Sequence, residues 1–215
     1  RDKHGVGVTQ SVREVAQSCE VVFLAVRPQD VAPVAEELHG ALSQEQLFVS
    51  IVAGKKLSHL RDAFGSQARL VRVMPNLALR VGEGMCAVCA DAQADAQRVV
   101  EILAAAGKAV VLEERHFDAV TALSGSGPAY FAYMEQAMAA GGVALGLEPG
   151  VARLLAAQTM YGTAKFLRTT GVDLMEFISG VATKGGTTAA GMVPLEEGDH
   201  FNRIVAATLA AAAER

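Results

Sequence analysis

DAVTALSGSGPAYFAYMEQAMAAGG, residues 118–142, marks where the chain changes its grammar. Gly125, Ser126, Gly127 and Pro128 within it admit three readings: a flexible linker, a phosphate-cradling loop, or the entry to a helix. A dinucleotide-type phosphate loop is fed by a strand, whereas residues 118–123 have helical character. Pro128 presets the first turn of a helix, and the residues from Ala129 onward are Ala-rich without β-branched runs. The stretch is therefore expected to hold a helix end and a close bend at 121–126, with Ser124 and Ser126 bonding locally, followed by a long helix.

Upstream of that bend, short apolar runs alternate with helix-like segments. VVFLAV (21–26), LFVSIVA (47–53), RLVRVM (69–74), MCAVCA (85–90) and AVVL (109–112) are nearly continuous in apolar residues. Strands covered on both faces have this character. Between them, residues 33–42, 56–64 and 91–106 carry helical spacing, the last with Val99, Leu103 and Ala106 on one face and Gly107 as a stop. The pattern predicts a doubly wound, Rossmann-like α/β sheet over residues 1–112. Downstream, residues 113–215 predict an all-α domain, with helices over 128–145, 149–167, 173–179, 187–196 and 199–214. Helices so rich in Ala and Gly approach one another closely and often need a partner to bury enough surface. A homodimer or larger homo-oligomer is expected.

Composition excludes several classes. The chain has 215 residues, 51% of them hydrophobic, and a formal net charge of −4. Without a basic run there is no electrostatic footprint for nucleic acid or an anionic membrane. Apolar runs such as 21–26 fall far short of the roughly 18–20 residues that span a bilayer. The odd count of three cysteines argues against a disulfide framework and for a reducing, cytoplasmic compartment. Cys86 and Cys89 form a C-x-x-C without a second Cys or His pair at zinc spacing, so they read as core residues of a strand. No metal site is expected.

In open parallel sheets ligands bind at the carboxyl ends of the strands. The residues there are RPQD (27–30), GKK (54–56) and PNLALRVGEG (75–84), turns rich in Pro, Gly and cations that suit an anionic dinucleotide or ordinary strand ends. The G-x-G-x-x-G fingerprint that opens such a site is absent from the sequence, and Arg1 begins in polar sequence. The chain is expected to start after the first βαβ segment of its fold. A second candidate is VATKGGTTAAGMVPLEEG (181–198). Its glycines free the backbone just before Thr187 and Thr188 at a helix start, where unpaired N–H groups form either a simple cap or a nest for a carboxylate.

FLAVRPQD, RVMPN followed by VGEG, DAVTALSGSGPAY and VATKGGTTAAGM, in this order, resemble the pyrroline-5-carboxylate reductase family over essentially the whole chain. The resemblance implies a Rossmann domain followed by a helical domain through which subunits pair. It implies that NADPH or NADH lies against Ala25, Val26, Arg27, Pro28, Ile51 and Ala53. It further implies that the substrate's carboxylate sits on Gly185, Gly186, Thr187 and Thr188, near Glu114, with Thr188 and Thr121 as the catalytic hydroxyls. Leu77 and Ala78 after Asn76 depart from the family's usual Thr-Pro, Gly180 stands where a polar side chain is usual, and Met192 replaces a branched aliphatic.

Imine reduction needs a hydride donor over the C=N carbon and a hydrogen-bonded nitrogen, and no nucleophile. No Ser-His-Asp arrangement or G-x-S-x-G elbow is visible. Two rival readings are a β-hydroxyacid dehydrogenase, for which Lys165 would be the comparable lysine, and a non-catalytic paralogue serving as a helical dimerisation or regulatory module.

Overall fold

The structure is a computed structural model and describes residues 5–65 and 68–214. It divides into two compact units, Arg1–Gly125 and Ser126–Arg215.

The first unit is built on a five-stranded sheet in the order β1-β2-β3-β4-β5: Val21–Leu24, Leu47–Ser50, Arg69–Pro75, Gly84–Ala90 and Gly107–Val111. All five apolar runs are strands. β1, β2 and β3 are mutually parallel, with Leu24 opposite Ser50 and Ser50 opposite Arg72, so all three end on one edge. β4 runs antiparallel to β3, pairing Val71 with Ala90 and Pro75 with Cys86, and β5 is parallel to β4. The expected Rossmann-like α/β sheet is present, and it is mixed: only the β3–β4 pair is antiparallel. Parallel strands need a crossover of a dozen or more residues, and the connection from Asn76 to Glu83 holds only a short 3-10 turn, Leu77–Val81.

Alternation along the strands separates two cores. One face buries Val22, Leu24, Phe48, Leu70, Ala87 and Cys89 under helices α2 (Val31–Leu38) and α3 (Leu57–Phe64) together with Phe117. The other buries Leu47, Val49, Val71, Val73, Cys86 and Val88 against Ala96 and Val99 of α4 (Gln93–Leu103). A further helix, α1 (Val12–Ser18), has no counterpart among the expected ones; Ser11 caps it by accepting from Glu14 N–H. Its single buried residue, Ala16, is too weak a pattern to announce it.

After β5 the chain runs back across the first face. A 3-10 turn at Glu114–His116 leads into α5 (Phe117–Val120) and a π-turn at Thr121–Gly125. The expected bend is therefore helical throughout, widened by a π-turn, and Ser126 also has helical angles (φ −87°, ψ −21°).

In the second unit the described residues form five helices: α6 (Gly127–Ala144), α7 (Pro149–Thr170), α8 (Leu174–Val181), α9 (Thr187–Glu196) and α10 (His200–Ala213). Pro149 opens α7, where Glu148 accepts from Val151 N–H. Asp173 caps α8 through Met175 and Glu176 N–H. α6 packs on α7 where Gly142 faces Ala152; a Cβ at Gly142 would meet that of Ala152 at 3.3 Å. Within this unit Gly127, Ala152 and Ala156 are buried, while Phe131, Tyr133, Leu145, Leu154 and Ile204 are exposed. A chain of helices with so much uncovered apolar surface has the character of an interface.

Candidate functional site

The carboxyl ends of β1, β2 and β3 bring three predicted loops to one edge of the first unit. Ala25 and Val26 follow β1, and Arg27 starts the 3-10 turn Pro28–Asp30. The Arg27 guanidinium bonds Asp30 at 2.9 Å yet remains 76% exposed, so it is an available cation at the edge. Beside it, β2 ends at the fully buried Ser50, whose Oγ accepts from Val52 N–H at 3.3 Å. That bond turns the chain past Ile51 and Ala53 to Gly54, which takes a positive φ of +72°. The small side chains of Ala25 and Ala53 are exposed and leave the backbone approachable.

At the end of β3, Asn76 secures the connection to β4: its Oδ1 accepts from Met85 N–H at 3.1 Å. Its Nδ2 reaches Ser124 Oγ at 3.5 Å, joining this edge to the π-turn. A Cβ at Gly125 would lie 2.6 Å from Met74 Cε, so a larger residue there would push the end of the Met74 side chain aside. π-turns within helices recur at functional sites. Thr121, the first residue of this one, donates its hydroxyl proton to the Phe117 carbonyl at 2.7 Å. Its oxygen lone pairs therefore remain as acceptors.

Glu114, expected beside the substrate, has Oε1 engaged by two donors of the protein. Arg72 Nη1 donates at 2.9 Å and Leu57 N–H at 2.7 Å. Arg72 lies on the inner face of β3, 4% exposed in its side chain, with its guanidinium 4.5 Å from the centre of the Phe117 ring. Burial raises the Cys89 thiol pKa, and the Glu114 charge raises it further; burial alone raises that of Cys86. Both thiols are thus poor nucleophiles. Among the described residues no group of three His, Cys, Asp or Glu side chains could hold a metal ion, and no helix is long and apolar enough to cross a membrane.

In the second unit, Gly185 has φ +78° and Gly186 is the N-cap of α9, its N–H bonded to the Thr183 carbonyl at 2.9 Å. A Cβ at Gly186 would sit 2.9 Å from Thr183 Oγ1 and 3.1 Å from its carbonyl oxygen, so a larger residue there would require Thr183 to shift. The first α9 bond runs from Ala190 N–H to the Gly186 carbonyl, and Gly186 offers no side-chain cap. The amides of Thr187, Thr188 and Ala189 therefore point out of the helix end, beside two exposed hydroxyls. This is an anion-binding geometry. Gly180, inside α8, has open space around its missing Cβ. Lys165 lies on the exposed side of α7, 5.8 Å from the centre of the Tyr161 ring.

The chain aligns with curated relatives over nearly its whole length. It is 39% identical to the pyrroline-5-carboxylate reductase of Arabidopsis thaliana over 214 residues, covering 98% of this chain and 77% of the relative. With that of Synechocystis it shares 38% over 209 residues, covering 96% and 78%. The chain belongs to the pyrroline-5-carboxylate reductase family. The family model described as pyrroline-5-carboxylate reductase dimerisation matches residues 114–215, and one described as NADP oxidoreductase, coenzyme F420-dependent, matches 1–54. The solved structure of a pyrroline-5-carboxylate reductase from Coxiella burnetii superposes with a TM-score of 0.93 at 31% identity, covering 100% of this chain and 81% of that one. A Plasmodium falciparum reductase solved with NADP bound gives 0.84 at 29% identity, covering 96% and 79%. Reductase-family membership fits the five strands and the helical second half, and it separates the chain from the β-hydroxyacid dehydrogenase reading.

Proposed function

We propose that this protein reduces 1-pyrroline-5-carboxylate to L-proline with NADPH or NADH, the last step of proline biosynthesis. The observation that carries the reading is the Gly185–Gly186 turn opening α9, found in a chain that aligns over 98% of its length with a reductase of this name. The turn suits a carboxylate on the Thr187 and Thr188 amides, with the Thr188 hydroxyl reaching toward a ring nitrogen. Thr121 contributes a hydroxyl whose proton is already committed, so it accepts a hydrogen bond from a protonated imine better than it donates one.

The edge formed by Ala25, Val26, Arg27, Pro28, Ile51 and Ala53 fits a dinucleotide: small exposed side chains leave room, and Arg27 offers positive charge. When bound, the reduced nicotinamide supplies the hydride. The protein's own residues orient the imine and hold its nitrogen, and such placement accounts for up to roughly 7–11 kcal/mol of a barrier.

In this reading residues 1–112 bind the dinucleotide, while 113–215 bind substrate and pair subunits. The family match beginning at 114 supports that division, as do the exposed apolar side chains of α6, α7 and α10 for a homo-oligomer. Three unpaired thiols fit the cytoplasm. Sedimentation of the full chain tests pairing; a monomer at every concentration would remove it. The activity is tested by following reduced nicotinamide absorbance with the cyclic imine acid and, in parallel, with 3-hydroxy acids and the oxidised cofactor. Turnover with the imine alone is expected, and turnover with neither would support the non-catalytic paralogue.

A further inference from the structure

We propose that Glu114 and Arg72 are positioning residues for the cofactor loop, and that Glu114 does not contact the substrate. The proposal rests on the reading that Ile51 and Ala53 take the dinucleotide.

Helix α3 begins at Leu57 directly after that loop, and its N-cap, Lys56, supplies no side-chain acceptor. The acceptor comes instead from Glu114, distant in sequence, whose Oε1 takes the Leu57 N–H at 2.7 Å. A carboxylate at this helix end satisfies an otherwise unpaired donor and complements the helix dipole. The same oxygen takes Arg72 Nη1 at 2.9 Å, and Arg72 is anchored in the middle of β3. Its planar cation also packs on the Phe117 ring, the residue whose carbonyl fixes Thr121.

One buried cation thus ties together the exit of the cofactor loop, the centre of the sheet and the start of the segment bearing Thr121. The Glu114 charge that raises the Cys89 thiol pKa is consistent with a carboxylate lying under the sheet face. A group held this way sets where the residue 51–56 turn sits. Its loss is therefore expected to loosen cofactor binding before it affects the imine.

The test uses the full chain with Glu114→Gln and Glu114→Ala, plus Arg72→Lys. Hydrogen exchange of the amides from Val52 to Leu57 is read without ligand, NADPH binding by nicotinamide fluorescence, and steady-state kinetics last. In Glu114→Ala, faster exchange confined to that segment is expected, with NADPH affinity falling about tenfold and KM for the imine within about twofold. Glu114→Gln keeps an acceptor for Leu57 and is expected to restore much of the protection. It also serves as the folded variant should the alanine chain not fold. Arg72→Lys keeps the charge without the planar stacking and is expected to fall between them. A raised imine KM with unchanged NADPH affinity and unchanged exchange would overturn the proposal in favour of a substrate ligand. Variants indistinguishable from wild type in all three readouts would overturn it too. Failure of the wild type itself to bind NADPH would instead remove the proposed activity, while the exchange result would still judge the Glu114–Leu57 link.

Discussion

Thr121 gives its hydroxyl proton to the Phe117 carbonyl at 2.7 Å, one helical turn back, so it faces any ligand as an acceptor. If it accepts from the protonated imine nitrogen, Thr121→Val should lower kcat/KM for the imine by roughly 10- to 100-fold. Thr121→Ser, which keeps the oxygen, should stay within about fivefold of wild type. Equal kinetics for the two variants would take Thr121 out of the reaction.

Thr188 sits at the second position of α9, where its amide and hydroxyl project from one helix end. Thr188→Ala keeps the amides and removes the hydroxyl. A fall in kcat/KM of about tenfold or more is expected, with NADPH affinity nearly unchanged. Parallel titrations and initial rates check this, and an unaltered kcat/KM would assign the amides alone to substrate binding.

The sheet that carries the proposed cofactor edge depends on a close passage between β4 and β5. Gly107 has φ +148°, and a Cβ there would come within 2.5 Å of the Gly84 backbone nitrogen. The atoms it would meet are all backbone atoms of Gly84, not a flexible side chain, so the strands must separate to admit it. Gly107→Ala is expected to cost about 2–4 kcal/mol, read as a lowered midpoint in urea at unchanged slope. An unchanged midpoint would mean that the β4–β5 pairing differs from the one described.

Thiol chemistry gives a check on the core. Cys19 is exposed, whereas Cys86 and Cys89 are buried with pKa values raised above that of a free thiol. A raised pKa leaves less thiolate at a given pH, so only Cys19 should react promptly with a soluble disulfide reagent at mildly alkaline pH. Cys86 and Cys89 should follow only on unfolding. Prompt modification of all three by intact-mass measurement would contradict the buried β4.

The strands and helices were legible because their signals are local. Apolar runs marked all five strands, and the helix expected over 149–167 is α7, which opens at Pro149 and continues to Thr170 before Gly171 turns left-handed. The reversal of β4 was less legible, since apolar runs carry no direction and only the short Asn76–Glu83 connection hints at it. The π-turn had no sequence mark beyond the small residues Gly125 and Ser124, which read as a bend; in the structure Gly125 lies against the end of Met74 and Ser124 Oγ meets Asn76 Nδ2. Arg72 was missed altogether. Its run RLVRVM reads as a strand, but its partner Glu114 lies 42 residues away and no periodicity links them. For Glu114 itself, sequence pointed to the neighbourhood of the substrate, while its donors belong to the helix start at Leu57 and to the sheet.

The proposed reaction passes a hydride from the reduced nicotinamide to the carbon of a cyclic imine. Incubation of the protein with 1-pyrroline-5-carboxylate and NADPH deuterated at the transferable C4 position, followed by mass analysis of the product, tests it most directly. L-proline carrying the deuterium, formed in step with cofactor oxidation, is the expected product. Cofactor oxidation without labelled proline, or no oxidation above an imine-free blank, would contradict it.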